Sequence, residues 1–293
     1  MPTRWLLLLP VALLGACRAA VLDPAGPVGA AERTLLIDSL AIMLAIVVPT
    51  IAATLAFAWW FRAGNKRATY LPTWHFSGSL ELVVWSIPVL TILLLGGVTW
   101  IGSHQLDPMR PLASKAKTLD VQVVSLDWKW LFIYPEEGIA TVNQLVVPAG
   151  VPIRFSLTSA SVMNTFFVPR LGSMIYTMNG MQTQLYLQAD EPGTFHGLSA
   201  HFSGDGFSDM QFQVRAVPAG EFAAWAAASR GAGPVLDAAS YAALARQSVD
   251  VKPFVFGSAE ADLFRKIVAQ EIAPSAGPGT ERHGAAETRK AAQ

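Results

Sequence analysis

Three side chains of copper-ligating type fall within one short stretch: His196, His201 and Met210. Imidazole and thioether donors suit copper, but a blue-copper centre also needs a thiolate. The chain has one cysteine, Cys17, far upstream of that stretch. A single cysteine builds neither a disulfide framework nor a cysteine-rich metal site. The missing thiolate favours reading the two histidines and the methionine as polar or packing residues on loops. Elsewhere, Glu81 stands at the start of a long apolar run. A carboxylate at the edge of a membrane span is a candidate for handling protons. An acid is also favoured at a helix amino terminus by the helix dipole, and the two readings stay open.

The elements that must carry these residues begin with an export signal. A basic start is followed by about ten apolar residues, too short to span a bilayer, ending in Leu14-Gly15-Ala16-Cys17. Small residues before a cysteine resemble a bacterial lipobox, which predicts a signal peptide over residues 1–16 and acylation of Cys17. A polar exported segment follows over 17–34. Residues 35–61 and 82–101 are each apolar over about 20 residues, long enough to cross about 30 Å of hydrocarbon. The first contains Pro49 and ends in Trp59-Trp60; the second contains Pro88 and Trp100. Interfacial tryptophans belong at such ends. Asp38 lies near the outer edge of the first span, where a structural or neutral role is expected. The loop over 62–81 carries Arg62, Lys66 and Arg67 before any acid, which keeps it in the cytoplasm. Both ends of the hairpin are then exported.

Beyond the second span, short alternating runs replace the long apolar ones. Ile153, Phe155 and Leu157 alternate with Arg154, Ser156 and Thr158; Leu185 and Leu187, and Phe212 and Val214, behave likewise. Turn residues separate the runs, as at Glu191-Pro192-Gly193. This pattern predicts a β-sandwich over 117–218. A helical region follows over 219–272, with short surface helices expected over 221–229, 238–248 and 259–271. Residues 273–293 lack a periodic apolar set and read as a disordered tail. With 21 basic and 21 acidic residues the chain has no net charge, so nothing points to nucleic acid. Charged residues are 14%, well below the ~25% of soluble proteins.

Three motifs carry a resemblance. Asp127-Trp128-Lys129-Trp130 begins a strand, residues 161–172 read SVMNTFFVPRLG, and residues 197–210 read GLSAHFSGDGFSDM. Together with the two-helix hairpin they resemble subunit II of the haem-copper oxidases, over residues 14 to about 264. The family's exported domain is a cupredoxin-like Greek-key sandwich. In its cytochrome c-oxidising members the last two stretches hold a dicopper centre. Here the positions of its two histidines are Asn164 and Phe207. Those of its two cysteines are Ser199 and Ser203, that of its glutamate is His201, and only Met210 is retained. A dicopper centre needs two bridging thiolates, and neutral hydroxyls ligate copper poorly. The same departures mark the quinol-oxidase branch, and the sequence is similar to its cytochrome bo-type ubiquinol oxidases.

The resemblance implies a membrane-anchored subunit of a proton-pumping ubiquinol oxidase, with no metal, no redox centre and no catalytic residue in this chain. Haems, copper and the ubiquinol site are then expected in subunit I, the main partner, with subunits III and IV and membrane lipid as further contacts. Cytochrome c is not an expected partner. Glu81 matches an acid at the mouth of a proton path. Trp128 matches a tryptophan that feeds the dicopper centre; without that centre, Trp128 and Trp130 read as core packing or a contact with subunit I. The implied place is the inner membrane of a Gram-negative bacterium, with a periplasmic amino terminus and sandwich. The competing expectation is a free-standing membrane lipoprotein with a cupredoxin-like binding domain.

Overall fold

The structure is a computed structural model that describes residues 20–69, 71–275 and 277. The expected signal peptide and Cys17 lie outside the described residues, as do residue 276 and residues 278–293 of the expected tail. The chain forms two compact units: residues 33–107, and the remainder on either side of them.

The first unit is built on two helices, α1 (Pro27–Trp60) and α2 (Gly78–Gln105). α1 starts ahead of the apolar run, within the segment read as non-membrane, and only its part from Arg33 belongs to this unit. No residue of either helix's apolar window is buried. Side chains such as Leu82, Trp85, Ile92 and Trp100 are more than half exposed, a surface that hydrocarbon or protein must cover. The helices meet where Leu35 lies against Gly102, a site with no room for a Cβ. Small residues permit such close approach in membranes. Thr50 and Thr91 return their hydroxyls to the carbonyls of Ile46 and Ile87, each at 2.7 Å, so these polar groups are satisfied inside their own helix. Arg62 lies over the Trp59 ring, 4.6 Å from its centroid.

The second unit is a β-sandwich. One sheet has six strands in the order β12-β3-β2-β1-β5-β8: β1 Leu119–Leu126, β2 Lys129–Tyr134, β3 Ile139–Val142, β5 Ile153–Ser159, β8 Thr183–Leu187 and β12 Phe254–Phe256. The other has five in the order β4-β10-β9-β6-β7: β4 Gln144–Pro148, β6 Asn164–Phe167, β7 Ile175–Thr177, β9 Gly193–Ser199 and β10 Gln211–Val217. β1 pairs parallel with β5, and β10 with β4; the remaining pairs in these sheets are antiparallel. Between the sheets Phe166 stacks on Phe212 at 5.1 Å, and Trp130 packs across Phe166 at 75°. Offset and edge-to-face contacts of this kind add to the burial of large rings. The Tyr134 hydroxyl donates to the Val146 carbonyl at 3.0 Å and accepts from its amide at 2.9 Å, tying β2 to β4 across the sandwich.

Several boundaries differ from the sequence expectation. The sandwich does not close at 218, because β12 comes from the region read as helical. That region contains α3 Ala219–Ser229, α4 Ala238–Leu244 and α5 Leu263–Val268, with β11 (Val235–Leu236) pairing with β13 (Ser258–Ala259). α4 and α5 are shorter than predicted, and each lays one face on the sandwich while the other stays exposed. Tyr241, Leu263, Phe264 and Ile267 are buried against Val124, Leu126, Leu131 and Ile133 on the outer face of the six-stranded sheet. β2 is therefore buried on both faces at every residue, and its sequence, KWLFIY, shows no alternation for that reason. Asp127-Trp128 does not begin a strand: it is the two-residue turn joining β1 and β2, with Leu126 paired to Lys129. The segment read as a tail is tied down at its start, where Ser275 donates its amide to the Ala160 carbonyl at 2.9 Å. Just ahead of α1 the Ala25 amide donates to the Arg170 carbonyl at 2.7 Å, and Val28, in the first turn of α1, joins the core between the sheets.

Candidate functional site

The copper-position residues come from three places in the sandwich. Asn164 opens β6, Ser199 ends β9, and His201, Ser203, Phe207 and Met210 lie on the connection from β9 to β10. The β9–β10 connection folds back on itself: the Ser199 amide donates to the Met210 carbonyl at 3.1 Å, and Phe207–Asp209 form a single 3-10 turn. The Ala200 amide donates to the Thr165 carbonyl at 3.2 Å, which docks the connection on β6. These bonds gather Asn164, Ser199, Ser203 and Met210 into the interior, all buried.

Within the pocket the residues partner one another. The Ser199 hydroxyl reaches Asn164 Oδ1 and the His201 carbonyl, each at 3.3 Å. The Ser203 hydroxyl faces Met210 Sδ at 4.0 Å. The Asn164 amide nitrogen donates to the Val162 carbonyl at 3.3 Å. Two further positions stay at the rim, partly exposed. His201 sets its ring against Tyr176 at 6.0 Å, and Phe207 packs on Phe202 at 5.6 Å. The donor set inside is a carboxamide, two hydroxyls and a thioether, all neutral. It offers neither thiolate nor imidazole to a transition metal, so these residues do not fit a copper centre. His196 does not join them. β9 points Phe195, Gly197 and Ser199 inward and His196 outward, as strand alternation requires. Among the described residues no three His, Cys, Asp or Glu side chains are placed to hold a metal ion.

Trp128 and Trp130 separate. Trp130 is fully buried in the aromatic core. Trp128 sits in the β1–β2 turn at φ = +70°, a left-handed backbone that is costly for a bulky residue. It is held there by its indole Nε1, which donates to the Ser203 carbonyl at 3.0 Å. Glu81 lies in the first turn of α2, exposed, with its amide donating to the Ser77 carbonyl at 3.0 Å. Its carboxylate makes no hydrogen bond or ion pair among the described residues. Asp38 is likewise exposed on α1.

A pair that sequence reasoning passed over lies beside the pocket. Lys129 is almost fully buried, and its ammonium donates to the Arg246 carbonyl and to Ser248 Oγ, both at 2.6 Å. Burial lowers its pKa to about 8, and the nearby Asp127 carboxylate opposes that shift. Asp127 is itself buried and accepts from Ser161 Oγ and from Gln247 Nε2 at 3.4 Å. Little in the sequence signals this pair, because a lysine between two tryptophans falls by strand alternation on the face expected to be wet.

Comparison with known proteins accounts for this architecture. Residues 119–217 match the family described as cytochrome c oxidase subunit II, periplasmic domain, and residues 230–274 match the COX aromatic rich motif. The chain is 48% identical to cytochrome bo(3) ubiquinol oxidase subunit 2 of Pseudomonas aeruginosa, over 91% of this chain and 81% of that one. It is 51% identical to ubiquinol oxidase subunit 2 of Acetobacter aceti, over 88% and 84% of the two chains. A solved periplasmic domain of cytochrome oxidase subunit II from Bradyrhizobium japonicum is 26% identical, covering 40% of this chain and 96% of that one with a TM-score of 0.38. With two apolar helices ahead of a cupredoxin-like domain, and relatives this similar over most of its length, the chain belongs to the ubiquinol oxidase subunit 2 family of haem-copper oxidase subunits II.

Proposed function

We propose that this chain is the non-redox subunit II of a proton-pumping haem-copper ubiquinol oxidase. In this reading the haems, the copper and the ubiquinol site belong to subunit I, which oxidises ubiquinol within the membrane and reduces oxygen to water. Subunits III and IV complete the assembly. The observation that supports the reading is the pocket of Asn164, Ser199, Ser203 and Met210, whose neutral side chains partner one another and offer copper neither thiolate nor imidazole. A lipid-soluble donor needs no electron relay in the exported domain. The chain's own work is then to anchor the sandwich through α1 and α2 and to pack on subunit I. Acylation of Cys17 would add a second anchor in the outer leaflet of the inner membrane.

The test is oxygen uptake by the complex purified through a tag at Gln293. Uptake driven by ubiquinol, and none driven by reduced cytochrome c, is the expected result. A preparation with neither haem nor uptake would overturn the reading in favour of a free-standing lipoprotein. Mass spectrometry of the mature amino terminus tests acylation, which predicts a peptide that begins at a lipid-modified Cys17.

Glu81 is the proposed proton-entry residue. In the assembled enzyme Glu81→Gln should slow turnover and proton uptake together while leaving haem content unchanged. Unaltered proton pumping would reduce Glu81 to a helix-start acid.

A further inference from the structure

The segment that follows α4, residues 246–251, has no helix or strand of its own. It is nevertheless fastened at several points to the part of the sandwich that closes the former metal pocket. Lys129 donates to the Arg246 carbonyl and the Ser248 hydroxyl, bonds that a charged donor strengthens. The Ser248 amide donates to the Asp127 carbonyl at 3.5 Å. Further along, Asn143, itself at φ = +54°, donates its side-chain amide to the Val251 carbonyl at 2.7 Å. Its Oδ1 accepts the Trp130 amide at 2.8 Å. Between these fasteners, Val249 lies over Gly206, and a Cβ on Gly206 would collide with both Val249 and the Trp128 ring. Gly206 is thus a gap that three segments share: the turn at Trp128, the 203–210 loop, and the segment crossing over them. Trp128 is only 8% exposed under this cover, and its indole holds the Ser203 carbonyl. Ser203 in turn faces the Met210 sulfur.

We propose that residues 246–251 are an intramolecular strap, clamped by Lys129, Asp127 and Asn143, that holds the 203–210 loop shut over the Ser203–Met210 pocket. The strap gives the aromatic rich motif a role in this domain. It occupies the face of the sandwich through which an ion or a protein would otherwise reach Trp128 and Met210. Both of those side chains are buried and oxidisable, and the strap adds Val249 to the cover beside Trp128. It is built from this chain's own contacts and stands whether or not the oxidase reading does.

The experiment uses the purified full chain, with Ser203→Cys as a reporter, followed by thiol labelling and by amide hydrogen exchange. With the strap intact, labelling at position 203 should be roughly 100-fold slower than in the denatured chain, because it must await local opening. Adding Lys129→Met should speed labelling about tenfold or more, with amide exchange rising together over 246–251 and 203–210 and not in β9 or β10. Val249→Gly alters an exposed side chain, carries less risk to folding, and should give the same pattern more weakly. Equal labelling rates with and without the strap variants would overturn the proposal. So would faster exchange at 246–251 that leaves 203–210 unchanged.

Discussion

Two polar clusters lie buried in one sandwich, and they are built on opposite principles. The pocket of Asn164, Ser199, Ser203 and Met210 holds only neutral groups at loose distances, 3.3 Å between its hydroxyl and amide oxygens and 4.0 Å to sulfur. The Asp127–Lys129 clamp holds opposite charges, and Lys129 makes two bonds of 2.6 Å. The first cluster stands at positions that the family resemblance matches to metal ligands, and its members partner one another. The second fastens the C-terminal extension. Neutral hydrogen-bonded pairs can often be replaced by apolar groups at little cost, whereas removing one partner from a buried charge pair leaves the other unmet. Position in a motif therefore misleads about which buried polar residues this domain depends on.

The largest expected effect that would sharpen this contrast is on stability. Lys129→Met should destabilise the exported domain by about 3 kcal/mol, since it leaves the Arg246 carbonyl and the Ser248 hydroxyl without their donor and the buried Asp127 carboxylate without its nearby cation. Thermal unfolding of the exported domain in the complex checks this, and a loss below about 1 kcal/mol would place the clamp on a par with the pocket.

The next effect is a pH dependence. The folded-state pKa of Lys129 is lowered to about 8 by burial, against about 10.4 in the unfolded chain. Between those values the unfolded chain binds more protons, so stability attributable to Lys129 rises with pH across that window and is flat below it. The advantage of the parent protein over Lys129→Met in melting temperature should widen from pH 8 to pH 10. An advantage that shrinks over that range would mean that the ammonium is stabilised by its site.

The smallest effect belongs to the pocket. Ser199→Ala with Ser203→Ala should change stability by about 1 kcal/mol, because each hydroxyl makes only long contacts and the acceptors it leaves behind are neutral. A loss as large as that of Lys129→Met would erase the distinction between the two clusters.

The sequence carried most of the architecture, for physical reasons that vary by region. The membrane helices were plain because hydrocarbon demands long uninterrupted apolar runs. β5 was plain because one face is buried more than the other, so Ile153, Phe155 and Leu157 alternate with less buried neighbours. β2 was not, because the C-terminal extension covers the face that would otherwise be wet. The Ala-rich region between 238 and 248 has helix propensity throughout, yet α4 stops at Leu244. Arg246 and Ser248 are drawn instead into bonds with Lys129, a tertiary demand that outweighs weak local preference. Of the motif positions, Asn164, Ser199, Ser203 and Met210 come together in the interior, while His201 and Phe207 stay at the rim. The clamp was not legible, since a lysine two residues from an aspartate reads equally well as a solvated pair.

If the sandwich holds no redox centre, Met210→Leu should leave the assembled enzyme unchanged. The substitution removes the remaining sulfur donor of the pocket at nearly constant volume. Copper per haem and ubiquinol-driven oxygen uptake, measured on the same purified complex, should equal those of the parent. Loss of a copper equivalent together with a fall in uptake would contradict the account and place a working metal among Asn164, Ser199, Ser203 and Met210.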